Sequence, residues 1–133
     1  MNTMYEVIHI NPYEDKRGCL KKIVLKSNLI IDIEEVYLLY TNTGNVRGNH
    51  YHKDTVEYFT VVFGVATVAL KDLITGNFEQ LNISDKDNLV LKVPANTVHA
   101  FKNKDNQPLV MLAVSSREYN ESDNDTYPLS ILS

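Results

Sequence analysis

The chain is poor in several things, and each shortage removes a class of explanation. Cys19 is its single cysteine, so no internal disulfide can staple the fold, and a reducing, cytoplasmic setting fits. That thiol is expected at a small core or surface position, with no histidine beside it in sequence to activate it. There is no basic surplus. Lys and Arg number 13 against 17 Asp and Glu, a net charge of −4, which leaves no electrostatic footprint for a nucleic acid polymer or an anionic membrane. Long apolar runs are missing too. The most apolar stretch, Val61 to Leu70, is far too short for a membrane-spanning helix. The opening MNTMYEVIHI lacks the charged and then apolar pattern of a signal peptide. No long helical period, internal repeat or linker is visible. The 133 residues therefore read as one domain over 1–133, with 118–133 as a C-terminal tail, and about two-thirds of the unfolded surface can be buried at this size.

What is present is a series of short β-prone runs. Strands are expected over Met4–Ile10, Cys19–Lys26, Glu35–Tyr40, Glu57–Phe63, Val65–Leu70, Phe78–Ile83, Leu89–Val93, His99–Phe101 and Pro108–Val114. Polar turns fall at Tyr13–Gly18, Thr41–Asn45, Thr75–Asn77 and Ser84–Asn88. Strands recurring roughly every eight to twelve residues predict an all-β sandwich or barrel. In Glu35–Tyr40, Val36, Leu38 and Tyr40 share one face while Tyr37 and Leu39 share the other. Both faces are apolar, so one is expected to line the core and the other to meet a second layer.

The chemistry-bearing residues are concentrated in GNVRGNHYHKDTVEYFTVVFG, Gly44 to Gly64, and in PANTVHAFKN, Pro94 to Asn103. His50 and His52 stand two apart in a segment of strand formers, where positions i and i+2 point the same way and can grip one ion. Glu57 follows after four residues, and His99 comes much later. Imidazole and carboxylate are the usual ligands of first-row metals, and three histidines with one carboxylate leave positions open for water or substrate. The fourth histidine, His9, has no such company.

This spacing resembles the cupin superfamily. Gly44, His50, His52, Glu57 and Gly64 occupy every position of a glycine, five residues, H-x-H, four residues, glutamate, six residues, glycine pattern. Asn88, Pro94, Asn96, His99 and Asn103 stand in the second motif, with Asn at both of its glycine positions. Asn best tolerates positive φ among the other residues, so those turns are expected to survive. Flanking residues narrow the likeness. Arg47-Gly48-Asn49-His50-Tyr51-His52-Lys53 resembles the R-G-x-H-x-H-K string of the WxcM-like sugar-nucleotide cupins, which include the dTDP-4-oxo-6-deoxyglucose 3,4-ketoisomerases. Asp15 to Leu20 is similar to their D-x-R-G-x-L turn, Ile33 to Tyr37 to their I-x-x-V-Y strand, and Arg117 to Asp123 to their S-E-Y-x-x-S-D run. The full ligand set also resembles the zinc-containing C-terminal cupin of capsular-polysaccharide bifunctional enzymes.

The resemblance implies an all-β, single-domain cupin jelly-roll barrel. It also implies an isomerase acting on a dTDP- or UDP-linked 4-keto-6-deoxy sugar in surface-polysaccharide or glycan biosynthesis, by 3,4-ketoisomerisation or C3/C5 epimerisation. One divalent metal is expected on His50, His52, Glu57 and His99, zinc first, with manganese, iron or nickel as alternatives. His50, His52 and Tyr37 are the candidates for proton transfer, while Arg17, Arg47 and Lys53 are the candidates for gripping the diphosphate. The apolar outer faces of YFTVVF and VMLAV suggest a homodimer, or cover by the tail or a second cupin unit. Two other classes stand beside the isomerase: a non-catalytic metal- or sugar-binding regulatory cupin, and a metal-dependent dioxygenase.

Overall fold

The computed structural model describes residues 4–23, 27 and 32–133. Its strands are β1 (Glu6–His9), β2 (Tyr13–Asp15), β3 (Gly18–Leu20), β4 (Glu35–Thr41), β5 (Val46–Tyr51), β6 (Glu57–Phe63), β7 (Val65–Asp72), β8 (Phe78–Ser84), β9 (Leu89–Val93), β10 (Thr97–Lys102), β11 (Leu109–Ser115) and β12 (Tyr127–Pro128). There is no α-helix among the described residues. The charged turn before β9 winds into a 3₁₀ turn, Asp85–Asp87, because Ser84 and Asp87 cap one another's backbone. No helix among the described residues is long and apolar enough to cross a membrane.

Ten strands form two antiparallel sheets, in the orders β1-β9-β6-β11-β4 and β12-β5-β10-β7-β8. Alternation along each strand turns one set of apolar side chains inward. Phe59, Val61, Leu91 and Met111 from the first sheet meet Val68, Leu70, Ile83 and Phe101 from the second in one core. The expected all-β double-sheet barrel is the observed architecture.

The outer face of the first sheet is uneven. Towards β1, Tyr58, Val90 and Val114 are buried beneath Ile8, Ile10, Ile23 and Val56. At β4, the edge strand, Tyr37 and Leu39 pack on the core, whereas Val36, Leu38 and Tyr40 are 57%, 50% and 60% exposed. The second layer expected over those three side chains is not supplied by the described residues.

Two other expectations need correction. Tyr13–Gly18 is not a simple turn: β2 and β3 pair as a hairpin, with Asp15 opposite Gly18, and all of its strand residues are exposed. The strand expected over Cys19–Lys26 ends at Leu20. Residues 24–26 lie outside those described. The Asp15 carboxylate catches the Arg17 N–H at 2.9 Å and its guanidinium at 2.6 Å, which tightens the turn between β2 and β3. Cys19 is exposed on this hairpin. The tail returns to the barrel, where β12 pairs with β5, Tyr127 opposite Tyr51 and Pro128 opposite His50.

Candidate active site

The first motif is shaped by an irregularity in β5. Its partner β10 places His99 opposite His50 and Ala100 opposite Gly48, so Asn49 is an extra residue, a bulge that re-aims its strand. Gly48 and Asn49 have φ of 88° and 56°. A Cβ on Gly48 would stand 2.6 Å from the His99 carbonyl oxygen, a place only glycine can fill. The bulge brings the His50 ring centroid within 5.2 Å of His52 and 4.8 Å of His99. His52 lies just beyond the end of β5, so simple strand alternation does not by itself place it.

The second motif works through its asparagines. Asn88 and Asn96, standing where glycines were expected, adopt φ of 52° and 63°, and the left-handed turns survive. The Asn96 N–H donates to the His52 carbonyl at 2.7 Å. The Asn103 side-chain amide donates to the carbonyls of Thr41 and Gln107, while the Asn103 backbone carbonyl accepts from the Gly44 N–H at 2.7 Å. That pins the turn entering β5.

Glu57 opens β6 in the facing sheet and is buried. Its Oε1 lies 2.7 Å from His52 Nε2 and 3.6 Å from His99 Nε2, and the Tyr37 hydroxyl donates to Oε2 at 2.6 Å. His52 Nδ1 is 2.7 Å from the Asp125 carbonyl. A carbonyl only accepts, so Nδ1 carries the proton and Nε2 is turned to the cluster. His99 Nδ1 likewise faces the Thr97 carbonyl at 3.3 Å.

Burial and mutual charge set the protonation. Burial pulls His99 down to about 4, against the attraction of Glu57. His50 is also lowered, first by burial and then by the charge of His52. His52 is raised: burial works against its charged form, but its bond to Glu57 prevails. Glu57 is lowered despite burial because His52, His99 and Tyr37 hold its anion. Burial, followed by the Glu57 charge, pushes the Tyr37 phenol far up. Something positive must sit between His52 Nε2 and Glu57 Oε1, either a proton on His52 or a cation.

One donor atom from each of His50, His52, Glu57 and His99 lies within 4.8 Å of the others. Two donors on one tetrahedral zinc ion stand about 3.4 Å apart, so the widest pair would have to close by more than an ångström for all four to share a divalent ion. The donor set fits such an ion in kind, with two Nε2 atoms pre-aimed by backbone acceptors.

A cavity of about 300 Å³ opens above His50, His52 and Glu57, with Tyr37, Glu35 and Arg117 on its wall. His99 lies beneath it, 1% exposed. Arg17, Arg47 and Lys53 do not line this cavity. Arg17 is held by Asp15 on the exposed hairpin, the Arg47 guanidinium donates to the Tyr40 carbonyl at 2.8 Å, and Lys53 Nζ lies 4.3 Å over the Tyr127 ring. The sequence reading missed Asp125. Its carboxylate accepts the N–H groups of Lys53, Asp54 and Thr55 and the Thr55 hydroxyl, at 2.8–2.9 Å. Arg117, within the tail motif, stands at the cavity rim, where its guanidinium donates to the Asp123 carbonyl at 2.9 Å.

Residues 13–127 match the family described as the polysaccharide biosynthesis C-terminal domain. A curated relative, the UDP-2-acetamido-2,6-beta-L-arabino-hexul-4-ose reductase of Pseudomonas aeruginosa, is 29% identical over 120 residues. The alignment covers 90% of this chain, which spans only 31% of that protein's length. Among solved structures, a sugar 3,4-ketoisomerase from Thermoanaerobacterium thermosaccharolyticum, in complex with TDP, superposes with a TM-score of 0.81 at 22% identity, covering 96% of this chain and 89% of that one. A dTDP-4-dehydrorhamnose 3,5-epimerase from Bacillus anthracis, with TDP and PPi bound, gives 0.83 at 16%, covering 95% and 78%. The chain shares the fold of both.

Proposed function

The chain belongs to the polysaccharide biosynthesis C-terminal domain family, and from that premise we propose that it isomerises a nucleotide-linked 4-keto-6-deoxy sugar in polysaccharide assembly. The observation that carries the reading is the convergence of His50, His52, Glu57 and the Tyr37 phenol on the floor of one cavity, on a fold shared with a ketoisomerase and an epimerase. The names of the Pseudomonas relative and of the 3,5-epimerase both place a ketone at C4, which supports that position here. TDP or UDP is the expected nucleotide.

In either isomerisation a C–H bond next to the ketone breaks. Its electron pair moves into the carbonyl to form an enediolate, and a proton returns at another carbon or the other face. His50 suits the first step, being lowered towards its neutral form and open to the cavity. His52, held between Glu57 and Asp125, carries positive charge beside the place where the oxyanion forms. The Tyr37 phenol keeps its proton, directed at Glu57, and its oxygen can accept a hydrogen bond from a hydroxyl of the substrate. A divalent ion, zinc above others, would be held by His50, His52, Glu57 and His99 and would supply Lewis-acid stabilisation of negative charge on the sugar oxygen. With those histidines so engaged, the proton would have to be carried by a phenol such as Tyr37 or by another group.

The test is incubation of dTDP- and UDP-linked 4-keto-6-deoxy sugars with the protein in heavy water. Deuterium entering at C3 or C5 with the ketone kept at C4 identifies an epimerase; a ketone moved to C3 with label at C4 identifies a 3,4-ketoisomerase. His52→Ala is expected to suppress exchange in both. Absence of label with every substrate, metal supplied, would favour a binding module over an enzyme.

We also read the exposed Val36, Leu38 and Tyr40 face as a homodimer contact and the cytoplasm as the working compartment. Leu38→Glu is expected to yield a monomer by analytical ultracentrifugation; an unchanged mass would remove this face from the assembly.

A further inference from the structure

His52 presents a problem of positioning. It stands past the end of β5, where the Asn96 N–H holds its backbone carbonyl, and a ring that must meet Glu57 needs a further support. The chain around it, Asn49 to Thr55, collects an unusual share of its hydrogen bonds from one distant segment, Asp125 to Leu132. The Asp125 carbonyl takes the proton of His52 Nδ1 at 2.7 Å. Asp125 is itself held in place, since its carboxylate is fastened to three successive N–H groups at Lys53, Asp54 and Thr55 and to the Thr55 hydroxyl. On the other side of the H-x-H pair, Asn49 clasps the same segment. Its Oδ1 accepts from the N–H groups of Ile131 and Leu132 at 2.9 and 3.1 Å. Its Nδ2 donates to the Leu132 carbonyl at 2.8 Å, and its backbone carbonyl accepts from the Leu129 N–H at 2.8 Å. Asn49 is also the bulge residue, at φ 56°, so the clasp locks the turn that aims His50.

We propose that segment 125–132 is the positioning element of the site, with Asp125 setting the ring of His52 and Asn49 setting the approach of His50. The inference rests on the reading that the four-residue cluster is the working site. A group that orients a metal-ligating or catalytic histidine through its second nitrogen changes affinity or rate without touching substrate. A merely structural strap would lower stability and leave the rings of the folded molecules as they are.

The experiment uses the full chain, labelled with ¹⁵N at histidine, with and without added Zn²⁺. In the wild type the His52 Nδ1–H signal is expected to be resolved and slow to exchange with water. Asp125→Ala should lose that protection while the backbone amide spectrum of the barrel persists. Asn49→Gly keeps the left-handed backbone without strain, so its effect reports the lost clasp alone. Zn²⁺ affinity, read by competition with a chromophoric chelator, should fall about 10–100-fold in each variant. Asn49→Asp, which keeps the acceptor for Ile131 and Leu132, should recover most of it.

Folded Asp125→Ala and Asn49→Gly proteins with wild-type His52 protection and wild-type Zn²⁺ affinity would overturn the proposal. If the wild type itself takes up no Zn²⁺, the metal reading fails, and the ring signal alone then decides the positioning role. If Asp125→Ala does not fold, Asn49→Gly decides in its place: a changed His50 or His52 ring signal supports the clasp, and unchanged signals refute it.

Discussion

The turn at Asp15–Gly18 and the bulge at Gly48–Asn49 use similar materials. Each sets a glycine of positive φ, 136° and 88°, among polar and charged residues, Gly18 at the start of β3 and Gly48 inside β5. Around Gly18 there is open space within 4 Å, whereas a Cβ on Gly48 would meet the His99 carbonyl oxygen at 2.6 Å and the Ala100 Cα at 3.1 Å. The hairpin carrying Gly18 closes on itself, with Arg17 and Asp15 as its own partners. The bulge is tied to β10 and to the tail. A glycine that only lets a chain turn is replaceable; a glycine that lets two backbones meet is part of the site. Local sequence does not distinguish the two, because the difference lies in what the rest of the fold brings up against each.

The largest effect expected from this contrast follows from adding one methyl group to each glycine. Gly48→Ala combines left-handed strain with a clash against backbone that cannot step aside, and should cost about 3 kcal/mol or more. It would also push β10 away and displace His99. Gly18→Ala carries the strain without the clash, about 1–2 kcal/mol, and its cost to the whole molecule is capped by the small stability of an exposed hairpin. Chemical denaturation of the two variants checks this, and equal losses would erase the distinction.

Asp125 gives a second, smaller effect with a definite pH dependence. Burial works to raise its pKa, but the Lys53, Asp54 and Thr55 donors outweigh burial and hold it at about 2, below the ordinary 3.8. A depressed carboxylate stabilises the fold above its unfolded pKa and loses that contribution as pH falls through its folded pKa. The contribution is therefore complete above about pH 4 and gone near pH 2. The shift corresponds to roughly 2 kcal/mol, trimmed to about 1 kcal/mol by solvent near the surface. Asp125→Asn should lower the denaturation midpoint above about pH 4, and the gap to wild type should narrow between pH 4 and 2. A gap independent of pH would mean the carboxylate's charge is not what the three N–H groups hold.

The reach of the sequence can be judged residue by residue. His50, His52 and Glu57 could be named because they stand within one short motif, and His99 because it falls in the second motif of the same resemblance. His52 nevertheless lies past the end of β5, where strand alternation does not place it. The two asparagines in glycine positions also behaved as their tolerance of positive φ predicts. Asp125 had no such signal: it is one acid in a polar tail, and its partners lie 70–72 positions away. Tyr37 was named as a proton carrier, but its bond to Glu57 joins β4 to β6 across β11, a topology that no local pattern encodes. The uncovered face of Val36, Leu38 and Tyr40 came out differently for a related reason. Alternation tells which residues share a face, and the neighbouring layer decides whether that face is buried.

The smallest structural effect belongs to Arg17, and it sharpens the contrast most. Among the described residues its guanidinium pairs with Asp15 on the same exposed turn, an ion pair at the surface of the kind that contributes little to stability. Arg17→Ala should therefore leave the unfolding temperature within about 1 °C of wild type. A guanidinium is nevertheless the side chain best shaped for a diphosphate, and this hairpin carries the D-x-R-G-x-L turn that resembles the sugar-nucleotide cupins. If Arg17 grips the nucleotide, Arg17→Ala raises KM for the sugar nucleotide while kcat stays near wild type, the signature of lost binding. Such a result would give the hairpin a function without a structural role, the reverse of Gly48. An unchanged KM would remove Arg17 from the substrate grip and leave Arg117, at the cavity rim, as the cation to test next.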